Sequence, residues 1–63
     1  MTARSFRTRA AFSVNGGATW TWYVWTHAHA NKHAAIVEKA RELDASAWDF
    51  GNADHGPVGE VGF

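Results

Sequence analysis

Four histidines are the residues of this sequence best suited to metal chemistry, because a neutral imidazole is a common metal ligand. His29 and His33 are four residues apart, a spacing at which two side chains on one helix face can bind the same ion, and His27 and His55 are further candidates. A metalloprotease-type zinc helix has a glutamate directly after its first histidine, whereas Ala30 follows here. We therefore predict that His29 and His33 are packing residues and that no metal or other cofactor is bound. A histidine-based structural metal site is the alternative.

Nucleophilic catalysis has little support in the sequence. The serines are Ser5, Ser13 and Ser46, and none lies in a G-x-S-x-G motif. Gly16 and Gly17 are typical of a turn between two strands, since the lysine and helix of a phosphate-binding loop do not follow them. We predict that the protein is not an enzyme.

Arginines and aromatic residues in two alternating segments are the best candidates for partner binding. Arg7 and Arg9 are predicted to face Trp25 and Tyr23 across a hairpin, forming two cation–π pairs on its outer face. Such residues anchor protein interfaces, and they also stack on the bases of single-stranded nucleic acid. The formal net charge of zero disfavours nucleic acid, which is bound by neutralising several phosphates. We therefore favour a protein partner, with nucleic acid as the alternative.

The alternation that positions these residues predicts a β-hairpin at about residues 5–27. A three-residue loop, Asn15 to Gly17, places Phe12 opposite Trp20. In this register the buried face contains Phe6, Thr8, Ala10, Phe12, Val14, Trp20, Trp22 and Val24.

The hydrophobic period then changes from 2 to 3.6, which predicts an amphipathic helix at about residues 28–48. Thr26 or Asn31 is the predicted N-cap, and Gly51 is the residue expected to end the helix. Residues 51–63 are rich in glycine and are predicted to form an irregular tail, from which Val58, Val61 and Phe63 could dock on the core.

Together these elements predict one α+β domain spanning residues 1–63, a ββα arrangement of hairpin, helix and tail. A chain of this size has a thin core, and the absence of cysteine removes disulfides as a means of stabilising it. We therefore expect a homodimer that forms through the edge of the second strand. The alternative is a monomer in which Val58 to Phe63 supply a third strand. The sequence contains neither a long apolar segment nor a signal-peptide pattern, so we expect no membrane association and a cytoplasmic location.

Overall fold

The sheet is built around its first strand. In a computed structural model, which describes residues 5–58, strand β1 (Phe6–Ser13) pairs along one edge with β2 (Thr21–His27). Its other edge pairs with β3 (Ala47–Trp48) and β4 (Asp54–Pro57), which lie one after the other along β1. All three pairings are antiparallel. The described sheet has four strands, and the hairpin of β1 and β2 is its larger part.

One helix, α1 (Lys32–Leu43), packs on one face of this sheet, which confirms the predicted α+β architecture. Asn31 is the N-cap, and its side chain accepts a hydrogen bond from a first-turn amide at 3.1 Å. Asp44 ends the helix in the left-handed conformation, with φ of 56°. The helix is therefore shorter than the predicted 28–48. It ends before Gly51 is reached because the chain turns at Asp44 to form β3.

The predicted register of the hairpin is wrong by one residue. Ala10 lies opposite Tyr23, and Ala11 lies opposite Trp22, whereas the prediction placed Ala10 opposite Trp22. Because successive side chains of a strand point to opposite faces, a shift of one residue exchanges the two faces of β2. Tyr23 and Trp25 consequently face the helix, and Trp22 faces away from it.

The cause of this shift is the connection between β1 and β2, which is longer than the three residues expected. Residues 14–20 form the loop, in which Gly16 and Gly17 have φ of 71° and 97°. These are left-handed values that glycine adopts without steric cost. The side chain of Ser13 accepts hydrogen bonds from the amides of Gly17, at 2.9 Å, and Asn15, at 3.3 Å. Side-chain hydrogen bonds thus stabilise a loop that is longer than the three residues predicted from the sequence.

The core lies between α1 and the inner face of β1 and β2. Ile36 and Ala40 of the helix are buried against Ala10 and Phe12 of the central strand. Aromatic and aliphatic side chains surround this centre, and those packed against it include Tyr23, Trp25, Leu43, Trp48 and Phe50. Four residues predicted to be buried are exposed and are not part of this core: Val14, Trp20, Trp22 and Val24.

Part of the predicted irregular tail, 51–63, is a regular strand. The amide of Val58 donates to the carbonyl of Ser5 at 3.1 Å, so Ser5 and Val58 form a hydrogen-bonded pair. In an antiparallel ladder such pairs alternate with non-hydrogen-bonded pairs, and this alternation continues along β1 and β4. Pro57 lies opposite Phe6 in a non-hydrogen-bonded pair, where no amide hydrogen is needed. The docking predicted for Val61 and Phe63 lies outside the described residues. Within residues 5–58 no helix has the length and apolar character needed to span a membrane.

Candidate functional site

The predicted binding residues do not share one face of the sheet. Arg7 and Arg9 alternate with the buried residues of β1 and lie on the face away from the helix. Tyr23 and Trp25 pack against the core on the opposite face, where the ammonium group of Lys39 lies 5.9 and 5.6 Å from their ring centroids. The predicted cation–π pairs between the arginines and these two rings are therefore absent from the described part of the chain.

The face away from the helix presents a different group of aromatic and basic residues. Trp20 and Trp22 are each 46% exposed, and Val24 is 56% exposed. The guanidinium carbon of Arg9 lies 4.1 Å from the ring centroid of Trp22, which is within cation–π distance. We call this surface, formed by Arg9, Trp20, Trp22 and Val24, the tryptophan face.

The charge of Arg9 is partly balanced on this surface. Its Nη1 lies 3.5 Å from a carboxylate oxygen of Asp54 on β4. Since both side chains are substantially exposed, this ion pair contributes little to stability. Together with the contact on Trp22, it gives the guanidinium group two partners on this face.

The edge of β2 adjoins the tryptophan face. Among residues 5–58, β2 pairs only with β1, so one side of its backbone has no strand partner there. Natural edge strands are usually protected by lysine, proline or a bulge. The sequence of β2, TWYVWTH, contains no lysine, arginine, acidic residue or proline. Within the part of the chain that the structure describes, the edge therefore lacks the protection that normally prevents strand pairing.

A second group of polar residues lies at the other end of the hairpin, around the buried side chain of Thr8. Its hydroxyl oxygen is 2.6 Å from Nε2 of His27 and 2.7 Å from Nδ1 of His55. The amide of His29 donates to Nδ1 of His27 at 3.1 Å. Nε2 of His55 is 3.1 Å from the carbonyl oxygen of Ala30. These contacts join β1, β2, β4 and the segment before the helix, and we call them the histidine–threonine network.

The hydrogen-bonding partners determine the direction of each bond in this network. An amide N–H only donates, so Nδ1 of His27 is an acceptor and its neutral ring carries the proton on Nε2. A carbonyl only accepts, so Nε2 of His55 carries a proton and its Nδ1 is the acceptor. Nε2 of His27 therefore donates to Thr8, and the Thr8 hydroxyl donates to His55. Every polar atom of the network is satisfied when both rings are neutral.

The surroundings of His27 also favour its neutral form. Burial lowers the pKa of His27 below its ordinary value of 6.5, and the neighbouring His55 and His29 lower it further. The carboxylate of Glu38 acts in the opposite direction and does not overcome these effects. The lowered pKa agrees with a ring whose Nδ1 is already occupied as an acceptor.

The helical pair expected from His29 and His33 does not form. His29 lies before the helix, where its Nε2 is 2.8 Å from a carboxylate oxygen of Glu38. His33 is on the helix, and its ring stacks on Phe50 with centroids 4.5 Å apart. In the described residues, no three histidine or acidic side chains are arranged to hold a metal ion.

Thr8 is the residue that sequence reasoning missed. A hydroxyl that donates to a histidine is a possible nucleophile with its base, but Thr8 is fully buried and does not reach a substrate. Its role here is to connect two rings. The available signal was a polar residue at a core position between Phe6 and Ala10, since a buried hydroxyl needs hydrogen-bonding partners.

A shallow cleft of about 330 Å³ lies between the C-terminal end of the helix and β3. The residues that line it are Val37, Ala40, Arg41, Asp44, Ala45 and Trp48. None of the histidines is among them, and Asp44 serves there as the helix cap. The tryptophan face and the histidine–threonine network are thus the two stronger candidate sites.

No family model, no curated protein and no solved structure matches this chain.

Proposed function

We propose that this protein is a small, non-enzymatic interaction protein that binds a second protein chain through the edge of β2 and the adjoining tryptophan face. The chain that it binds there is a second copy of itself. The observation that carries this proposal is the position of Trp22, half-exposed on an edge strand that has neither charge nor proline. The proposed surface is again the face of the hairpin that carries the arginines, but its apolar residues are Trp20, Trp22 and Val24 and not Tyr23 and Trp25.

The composition of the tryptophan face is typical of the centre of a protein interface. Tryptophan and arginine are enriched among the residues that contribute most to binding, whereas isolated exposed charges are depleted there. Arg9 fits this pattern because its guanidinium group is already stacked on Trp22 and balanced by Asp54. Little side-chain freedom remains to be lost by Arg9 when a partner binds.

A second copy of the chain suits this surface for reasons of geometry and charge. Two β2 edges related by a two-fold axis pair antiparallel, which joins two four-stranded sheets into one. The two tryptophan faces then lie on the same side of the joined sheet, where Trp22 of one copy lies beside Val24 of the other across the axis. Because the formal net charge is zero, the copies carry no net repulsion.

Nucleic-acid binding has weaker support, since the carboxylate of Asp54 offsets the charge of Arg9 on the same face.

A cytoplasmic location stays a prediction, which cell fractionation with a specific antibody checks.

Sedimentation equilibrium of two matched lysine variants tests the proposed interface. Val24→Lys places a charge on β2 near the proposed axis, and Val58→Lys places the same charge at the end of β4, on the opposite side of β1 from β2. Val24 and Val58 are 56% and 42% exposed, so both substitutions are compatible with folding. We expect Val24→Lys to raise the dimer Kd by about tenfold or more, which is about 1.4 kcal/mol, and Val58→Lys to leave it within about twofold. Equal effects of the two variants on Kd would contradict pairing through β2.

A further inference from the structure

We propose that the histidine–threonine network is an acid-sensitive latch, which holds β4 against β1 when His27 and His55 are neutral and releases β4 under mildly acidic conditions. This inference does not depend on the proposed function. It rests on the direction of the hydrogen bonds and on the elements that they join.

Protonation of His27 is incompatible with the contacts that the neutral ring makes. The added proton goes to Nδ1, the atom that accepts the amide hydrogen of His29 at 3.1 Å. Two donors then face each other, and the hydrogen bond is lost. The positive ring also lies beside the ring of His55, with centroids 5.4 Å apart.

Protonation of His55 disturbs the network at its centre. The added proton goes to Nδ1, which now accepts the hydroxyl hydrogen of Thr8 at 2.7 Å. Thr8 already accepts from His27, and its side chain is fully buried. Its hydroxyl hydrogen is thus left without this acceptor in a place that water does not reach, which is costly.

The other charged groups near these rings do not remove the conflict. Glu38 on the helix is the acidic group that acts on His27, and its carboxylate is already paired with His29 at 2.8 Å. Asp54 precedes His55 on β4 but is paired with Arg9 on the opposite face of the sheet. A proton on either ring of the network therefore remains poorly compensated.

The element expected to move is β4, because its attachment is the weaker one. It is four residues long and, among residues 5–58, pairs only with β1, whereas β2 pairs with β1 along seven residues. Its histidine supplies two of the hydrogen bonds of the network and a stacking contact with Phe6, with centroids 5.6 Å apart. Short segments with few buried contacts open at a lower free energy than the rest of a fold.

The sign of the pH dependence follows from linkage. The pKa of His27 is lowered while β4 is attached, so the opened state, in which this ring is better solvated, binds the proton more tightly. Attachment of β4 is therefore most favourable above the ordinary pKa of 6.5 and weakens as the pH falls below that value.

Amide hydrogen exchange measured by NMR on the unmodified chain tests the latch. The amides of Gly56 and Val58 lie in hydrogen-bonded positions between β4 and β1, and the amide of Ala40, in the helix, is the internal reference. Between about pH 7.5 and about pH 5.5, we expect the protection factors of Gly56 and Val58 to fall by about tenfold or more, and that of Ala40 by less than about threefold. Equal losses at all three amides mean global unfolding and overturn the proposal, as does no loss at any of them.

Two asparagine variants assign the effect to the network. His55→Asn keeps an acceptor for Thr8 but has no ring nitrogen that can take up a proton, and His33→Asn removes a histidine outside the network. We expect the pH-dependent loss at Gly56 to shrink below about threefold in His55→Asn and to persist in His33→Asn. A tenfold loss that persists in His55→Asn, or one abolished by His33→Asn, overturns the proposal. If His55→Asn does not fold, the comparison of β4 with the helix in the unmodified chain decides the question.

Discussion

At the scale of single residues, Thr8 and the tryptophans show two different limits of sequence interpretation. Thr8 was correctly placed on the inner face of the first strand, but its partners come from residues 27 and 55, which are distant in the sequence. Trp20 and Trp22 were misplaced because both alternating sets of the second strand contain aromatic residues. Where either face is hydrophobic enough to be buried, alternation predicts a strand without indicating which side faces the core.

Replacement of the Thr8 hydroxyl should destabilise the protein. Thr8→Val keeps the shape of the side chain but leaves Nε2 of His27 and Nδ1 of His55 without their partner, so we expect a loss of about 2 kcal/mol in the free energy of unfolding. Thr21→Val, at an exposed position of β2, is the matched control and should change it by less than about 0.5 kcal/mol. Urea denaturation at neutral pH measures both values, and equal values would show that the network does not stabilise the fold.

At the scale of elements, the types of the main elements were predictable and their connections were not. Alternation identified both strands of the hairpin, and the 3.6-residue period identified the helix. The predicted helix was too long because its apolar pattern continues through Ala47 and Trp48, which in the structure form β3. The register prediction was wrong by one residue because it assumed a three-residue loop, whereas the loop spans residues 14–20. This loop is stabilised by side-chain hydrogen bonds, which a periodic sequence pattern does not reveal.

The observed register predicts opposite consequences for two tryptophans of β2. Trp25 packs on Phe12 with centroids 5.7 Å apart, and Trp25→Ala should lower the free energy of unfolding by about 3 kcal/mol. Trp22→Ala removes an exposed ring and its contact with Arg9, so we expect a loss of only about 1 kcal/mol. Denaturation followed by circular dichroism in dilute solution, where self-association contributes least, compares them. A larger loss for Trp22→Ala would restore the register first predicted from the sequence.

At the scale of the whole molecule, the described residues form a two-layer structure with the helix on one side of the sheet only. The expectation of a dimer began from a two-stranded sheet, which is marginal in water. Within residues 5–58 the sheet has four strands, and β3 and β4 cover the second edge of β1. The expectation of self-association therefore no longer depends on a two-stranded sheet. It depends on the edge of β2, which has no charged residue or proline, and on Trp22 and Val24, which are exposed beside it.

The mass of the unmodified protein in solution tests this central claim most directly. Light scattering coupled to size-exclusion chromatography, at about 100 μM and again after about hundredfold dilution, measures the mass and its dependence on concentration. We predict about twice 6.9 kDa at the higher concentration and a decrease towards 6.9 kDa on dilution. A mass of 6.9 kDa at both concentrations would contradict self-association through β2.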